Sequence, residues 1–249
     1  MTDQSLTNRV RERLKLAVPR GLQRADLEIS RGSYASRLTA TAQTRGIDTV
    51  LDVGANVGQF ASLLRSAGYR GRIVSVEPLA GAFAQLQRRS GDVSAWTAVH
   101  AAVGAEVGET VIHVAEDSYS SSILPATATQ RTAAPRSAPI GEETVRMTTV
   151  RDLVSEHGLD PARTLLKVDT QGFEEDVLRG AGDLIGAFAA IQLELSFVEL
   201  YAGQRLYEDL VADLGAAGYR IHQLETGFSD QQGRLMQVDG LFVRVADDG

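Results

Sequence analysis

The 249-residue chain contains no cysteine, so disulfides and thiolate metal sites are excluded from the start. Its four histidines, His100, His113, His157 and His222, form no close pair, which removes the usual imidazole spacing of a metal centre as well. Long apolar runs are missing too. No stretch approaches the roughly 18 apolar residues of a membrane span, and no apolar core follows the N-terminal charges as in a secretory leader. These absences lead to the expectation of a cytoplasmic protein. A G-x-S-x-G elbow and a Walker loop are both lacking, so Ser-His-Asp hydrolysis and P-loop phosphate chemistry find no support. Positive charge is not in excess either: the net charge of −7 argues against nucleic acid as a partner.

What is present fits one ordinary globular domain, with 43% apolar and 23% charged residues and length enough for a single sizeable core. The charge is uneven. Residues 1–45 carry nine Lys or Arg against four acids, whereas the remainder carries sixteen against twenty-eight. The segment RVRERLKLAVPRGLQR sets Val10, Leu14, Leu16 and Val18 among arginines. It reads as a basic helical arm over 1–45 packed on the edge of a domain spanning 46–249. The sharper alternative is peripheral contact with an anionic membrane or an acidic protein partner.

From residue 46 onward, strand-like and helix-like patterns alternate. Strands are expected near 48–53, 72–77, 95–100, 164–169, 189–195, 219–224 and 239–245, and helices over 57–67, 79–89, 150–157, 174–181 and 204–217. Apolar strands with helical crossovers are the pattern of a doubly wound, mostly parallel α/β sheet with helices on both faces. The last strand follows a Gly- and Gln-rich turn instead of a helix, so antiparallel pairing at the end of the sheet is expected. One segment breaks the alternation. Between Gly104 and Val150 lie a short β pattern from Thr110 to Val114, a serine cluster, and PATATQRTAAPRSAPIGEE with three of the six prolines. That last piece is expected to make no regular element, with residues 116–143 acting as a mobile loop or lid.

Two places carry the chemistry. In LDVGANVGQF a buried strand ends near Asp52, and a helical pattern resumes within a few residues. Gly54 and Gly58 let the backbone approach something closely, and Asn56 tolerates the left-handed region better than other non-glycine residues. A dinucleotide site would use such a turn to cradle a pyrophosphate, but that fingerprint wants G-x-G-x-x-G. Here Asn56 replaces its second glycine and Gln59 its third, which weakens the reading as an NAD(P)-dependent oxidoreductase. A nucleoside without phosphates, such as S-adenosylmethionine, suits the turn better. Asp52 then supplies an acid before the turn, and Glu77 ends the next strand, IVSVEP, beside Pro78, where a carboxylate can accept both ribose hydroxyls. The loop after the third strand places His100, Ala101 and Ala102 as candidates to flank an adenine.

LDVGANVGQF, then IVSVEP, then LLKVDTQGFEEDVLRGA resembles the FkbM family of S-adenosylmethionine-dependent methyltransferases over roughly residues 48–245. The resemblance implies the Rossmann-like class I methyltransferase fold, a seven-stranded sheet whose last strand is antiparallel. It also implies O-methylation of a hydroxyl on a sugar, glycolipid or polyketide-type small molecule. The family pattern directs attention to Asp169, at the carboxyl end of its strand, where open α/β sheets place ligands. Asp169 is the first candidate for a base or acceptor-orienting carboxylate, Glu194 the second and His222 the third. Family members often carry Glu where this chain has Gln171, so a metal or base role there is in doubt. Asp169 and Glu194 could meet around a magnesium ion, as in some O-methyltransferases, but residue spacing signals no metal site and none is assigned. Ser120, Ser121 and Ser122, with Phe197, Tyr201 and Tyr207, are candidates to line an acceptor pocket. A homologue that keeps the nucleoside site without turnover is the non-enzyme alternative, suggested by Gln171 alone.

Overall fold

The computed structural model describes residues 33–91 and 93–245. The basic stretch from Arg9 to Arg24 lies outside the described residues. What is described of the expected arm is helix α1, Tyr34–Thr44, whose Leu38 and Ala42 pack in one buried cluster with Val50, Ile73 and Leu241.

The main sheet is built from β1 (Thr49–Val53), β2 (Arg72–Glu77) and β3 (Trp96–His100), with α2 (Gln59–Ser66) and α3 (Ala80–Gly91) as crossovers. After an insertion come α5 (Val150–Glu156), β7 (Thr164–Val168), α6 (Glu174–Ala181), β8 (Ala190–Ser196), α7 (Tyr207–Ala216), β9 (Tyr219–Thr226) and β10 (Gln237–Arg244). The seven strands stand in the order β3-β2-β1-β7-β8-β10-β9. All pairs from β3 to β8 are parallel, and β10 is antiparallel as expected but lies between β8 and β9, leaving β9 and not the last strand at the end of the sheet. This is the Rossmann-like class I methyltransferase arrangement. The expected elements are found with boundaries shifted by a few residues at most.

Strands β1 and β7, TVLDV and TLLKV, are buried along their whole length because helices cover both faces. Alternation then sorts their side chains. Leu51, Val53, Leu166 and Val168 face a core closed by Leu153, Val177, Leu210 and Leu214 from α5, α6 and α7. Val50 and Leu165 face the opposite core, closed by Leu38, Leu64 and Leu86 from α1, α2 and α3. Each fully buried Leu or Val contributes about 1.5–3 kcal/mol relative to exposure. Asp52 and Lys167 interrupt the second face at one register level, paired Cα to Cα.

The chain runs outward from β1 to β3, returns across the sheet to β7, and continues the other way. Between β1 and β7 the crossovers therefore diverge, opening a crevice at the carboxyl ends of the strands.

The insertion corrects one expectation. The β pattern at Thr110–Val114 is found as β5 (Gly108–Ala115), but the proline-bearing piece after it is not irregular: it holds a short helix, α4 (Ala128–Ala133), and the start of β6 (Pro139–Thr148), which joins β4 (Ala102–Val103) and β5 in a separate sheet in the order β4-β6-β5. The prolines misled because they sit at element edges. Pro139 opens β6, where its missing N–H costs no ladder bond, and Pro135 opens a single 3₁₀ turn. Residues 139–143 of the expected lid thus belong to a strand.

Candidate functional site

The crevice is a cleft of about 920 Å³ including its open mouth. Its floor and walls come from Gly54, Asn56, Glu77, Pro78, Ala101, Ala102, Asp169, Gln171 and Glu194. A strap formed by Ser118, Tyr119, Ser121, Ser122 and Ile123 also lines it.

One wall is the turn after β1. Gly54 adopts φ +74°, and a Cβ there would stand 1.8 Å from the Asp169 carbonyl oxygen. Gly54 is therefore required where β1 and β7 approach each other, before any ligand is considered. Asn56 is left-handed as well, with φ +46°. Its backbone N–H donates to Glu77 Oε2 at 2.8 Å, while the Leu79 N–H donates to Oε1 at 2.9 Å. Each carboxylate oxygen keeps a lone pair. Burial pushes the Glu77 carboxyl up to about 7, against the pull of those two N–H donors.

The other wall is the turn after β7, Asp169-Thr170-Gln171-Gly172. Glu174, at the start of α6, accepts hydrogen bonds from the Thr170 and Gly172 N–H groups at 2.9 and 3.1 Å and so shapes this turn. Burial raises its own pKa to about 6. The Gln171 amide nitrogen donates to Asp169 Oδ1 at 3.0 Å and to Glu194 Oε2 at 2.8 Å. Burial drives the Glu194 carboxyl well above the ordinary range, and the charges of Asp169, Glu174 and Asp239 add to the shift while Lys167 opposes it.

Lys167 links the two walls. Its ammonium contacts Asp52 Oδ1 at 3.2 Å, Asp169 Oδ2 at 3.4 Å and the Gly54 carbonyl at 3.1 Å. Burial pulls its pKa down, but Asp169 and Asp52 outweigh that and hold it above the ordinary value. The contact offered no recognised motif. Its signal in the sequence was a lysine inside an otherwise apolar strand, facing an aspartate inside another.

Six expected site residues lie elsewhere. Asp52 is fully buried and does not line the cleft; Ser75 Oγ donates to it at 2.9 Å, and Lys167 neutralises it from below the turn. At Gly58 a Cβ would meet Leu86 at 2.8 Å and Trp96 at 2.9 Å, so its small size serves helix packing. His100 points away from the cleft, stacked 4.5 Å from the Phe83 ring with Nε2 2.9 Å from the Pro78 carbonyl. His222 is exposed on β9, at the far edge of the sheet, with Nε2 3.4 Å from Thr41 of α1. Sheet order separates it from the carboxyl ends of β1 and β7. Phe197 and Tyr207 pack edge-to-face on each other beside the core.

Ser122 and Tyr201, two of the acceptor-pocket candidates, meet at Gln171. Ser122 Oγ donates to the Gln171 carbonyl at 2.7 Å, and the Tyr201 hydroxyl lies 2.8 Å from Gln171 Oε1. Among the described residues no group of three or more His, Asp or Glu side chains is arranged to hold a metal ion. The same residues include no helix long and apolar enough to cross a membrane.

The model of the methyltransferase FkbM domain matches residues 52–221, more than half of the chain. The protein belongs to the FkbM methyltransferase family. The match runs from the Gly54 turn through both walls of the cleft and ends on β9. No curated protein matches the chain by sequence. Solved structures similar to this FkbM chain include magnesium protoporphyrin IX methyltransferase from Synechocystis PCC 6803 with bound SAM, at 12% identity and TM-score 0.47, covering 91% of this chain and 92% of that one. Fibrillarin from Aeropyrum pernix with natively bound S-adenosyl-L-methionine is similar at 15% identity and TM-score 0.44, covering 84% and 76%. An O-methyltransferase from neocarzinostatin biosynthesis is similar at 12% identity and TM-score 0.42, covering 84% and 52%. At these scores the likeness is remote, and the FkbM assignment rests on the family match.

Proposed function

We propose that the protein is an S-adenosylmethionine-dependent O-methyltransferase acting on a hydroxyl of a sugar, glycolipid or polyketide-type small molecule. The observation that carries this reading is the placement of two kinds of carboxylate at opposite walls of one cleft. Glu77 has free lone pairs for ribose hydroxyls, and Asp169 stands half-exposed with Glu194 on the other side. The residues fit the donor: Leu79, Val103 and Ile112 offer apolar surface beside Ala101 and Ala102, where a flat base could lie. When bound, the donor supplies an activated methyl group on a positively charged sulfur.

The chain's own contribution is alignment and proton removal. Methyl transfer from a sulfonium needs the acceptor oxygen in line with the methyl–sulfur bond, and positioning supplies most of the acceleration. Asp169 accepts the proton of the attacking hydroxyl as the carbon–oxygen bond forms and the carbon–sulfur bond breaks, its electron pair passing to sulfur. Lys167, 3.4 Å away, balances the Asp169 charge before transfer. The strap from Ser118 to Ile123 shields the cleft from water and lifts for exchange, a narrower lid than residues 116–143. Residues 1–32 would supply any contact with a membrane surface or an acidic partner.

The nicotinamide alternative is disfavoured because Asn56, held to Ser118 Oγ at 3.2 Å, occupies the place of the second fingerprint glycine. Calorimetry with S-adenosylhomocysteine and with NAD separates the two: tight binding of the first and none of the second is expected, and the reverse overturns the reading. Incubating the protein and methyl-labelled donor with cell extracts then tests turnover. Label found on a nitrogen or carbon atom, or no transfer at all, removes the O-methyl assignment.

A further inference from the structure

Gln171 is the residue whose placement the family chemistry leaves unexplained. It is a non-glycine residue at φ +55°, a conformation kept only when the surroundings impose it. The surroundings do so from three sides. The Ser122 hydroxyl holds its backbone carbonyl at 2.7 Å. Its amide nitrogen has two hydrogens, and each meets a carboxylate from a different strand end, Asp169 after β7 at 3.0 Å and Glu194 on β8 at 2.8 Å. Its amide oxygen faces the hydroxyl of Tyr201, 2.8 Å away, and Tyr201 is fully buried.

This pattern leaves one orientation for the amide. Turned over, its oxygen would point at two carboxylates and its nitrogen at a hydroxyl. The Tyr201 hydroxyl is also 3.1 Å from the Ser120 carbonyl, so the strap over the cleft and the amide share one anchor. Without the amide, the Asp169 and Glu194 carboxylates would face each other with little to separate them. Glu174 from α6 and Asp239 from β10, paired opposite Glu194, would add to the repulsion, and Lys167 from β7 would be the cation opposing it.

We propose that Gln171 is a positioning residue: its amide clamps Asp169 and Glu194 into one unit and presents Asp169 to the acceptor hydroxyl, while Tyr201 fixes which way the amide faces. The proposal rests on the reading of Asp169 as the group that receives the acceptor proton. In this arrangement the N–H group that meets Glu194 favours its charged form and offsets part of the burial that drives its proton on.

The test needs no acceptor. Carbon-13 NMR of the glutamate side-chain carboxyls follows the titration of Glu194 in the free protein, its resonance assigned as the one lost in Glu194→Gln. Gln171→Leu is expected to raise the Glu194 midpoint by about one pH unit or more, because the N–H group that meets its carboxylate is gone. Affinity for S-adenosylhomocysteine should stay within about twofold, since the Glu77 wall is untouched. Tyr201→Phe should raise the midpoint by less, and should add nothing in the Gln171→Leu background. Gln171→Glu, which keeps the shape and replaces the donors with a carboxylate, serves if the leucine variant does not fold, and should move the midpoint at least as far. An unmoved midpoint in the variant that folds overturns the clamp. So does a Tyr201→Phe shift that is equally large without Gln171. Failure of methyl transfer to every hydroxyl tried, with the midpoint shifted as expected, would instead overturn the O-methyl reading and leave the clamp standing.

Discussion

The turn after β1 and the turn after β7 do the same topological task with different materials. Both follow a strand of five buried residues, both use left-handed backbone, and both feed a helix. In the first, the carboxylate of Glu77 is held by backbone N–H groups, so its position is set by chain geometry alone. In the second, the carboxylates of Asp169 and Glu194 are held by a side chain, Gln171, which is itself held by Tyr201 and Ser122. A backbone-built wall suits an invariant nucleoside. A wall built from side chains can change its protonation and geometry while chemistry proceeds.

The largest expected effect comes from erasing the distinction. Gly54→Val drives a Cβ into the Asp169 carbonyl and so deforms both turns at once. Its destabilisation should reach the exceptional range of about 4–5 kcal/mol, measured as a fall in denaturation midpoint. A variant that is normally stable but does not bind donor would show that the glycine serves only the ligand.

Asp169→Asn strikes the second wall alone. Turnover should fall about 10²–10⁴-fold, the usual worth of a positioned base, with donor affinity little changed. Loss of donor binding together with activity would move Asp169 to the cofactor side of the comparison.

Glu77→Ala strikes the first wall alone. Donor affinity should weaken by about 1.5–3 kcal/mol, the range for hydrogen bonds to a charged group, as read by calorimetry. On the proposed role of Glu77, wild-type affinity should also rise as pH increases through about 7, because only the ionised carboxylate can accept from both ribose hydroxyls. The stability consequence has the opposite sign. The folded pKa lies above the reference value of 4.5, so the folded state binds the proton more tightly, and the stability Glu77 confers is lost as pH rises from about 4.5 through about 7. A pH-independent affinity would remove Glu77 from the ribose.

The strap joins the two walls, since Ser118 meets Asn56 and Ser122 meets Gln171. Amide exchange over residues 117–124 should slow severalfold on donor binding, as expected of a closing segment. Slow exchange in the free protein that donor leaves unaltered would count against a lid. The smallest effect is expected for His222→Ala, exposed on β9 and outside both walls. Turnover should stay within about twofold and stability within about 0.5 kcal/mol, and a larger loss of turnover would return His222 to the site.

Much of this was legible because local rules and global fold agree here. Gly68, Gly158 and Gly218 all take positive φ just after helices, where a left-handed residue commonly ends a helix. Gly54, Asn56, Glu77, Pro78, Ala101, Ala102, Asp169 and Glu194 all reach the cleft, because strand ends in a doubly wound sheet converge on one edge. Position along a strand is a one-dimensional property, and a sequence carries it directly. The insertion misled because composition was weighed over alternation: the β pattern of β6 begins at a proline and pairs along most of its length with β5, a partner the chain reaches across a long connection.

What the sequence determined by itself, then, is the order of elements, the crevice and the residues at the tips of its strands. Direction and partnership were decided only by the tertiary structure. Whether His100 faces the cleft or Phe83, whether Asp52 serves a ligand or Lys167, and whether Gln171 is a lost acid or a clamp between two, depends on side chains brought from distant segments. The physical reason is burial. A charged or amide group excluded from water must find its hydrogen bonds among whatever neighbours the fold supplies, and those neighbours are fixed by packing across the sheet.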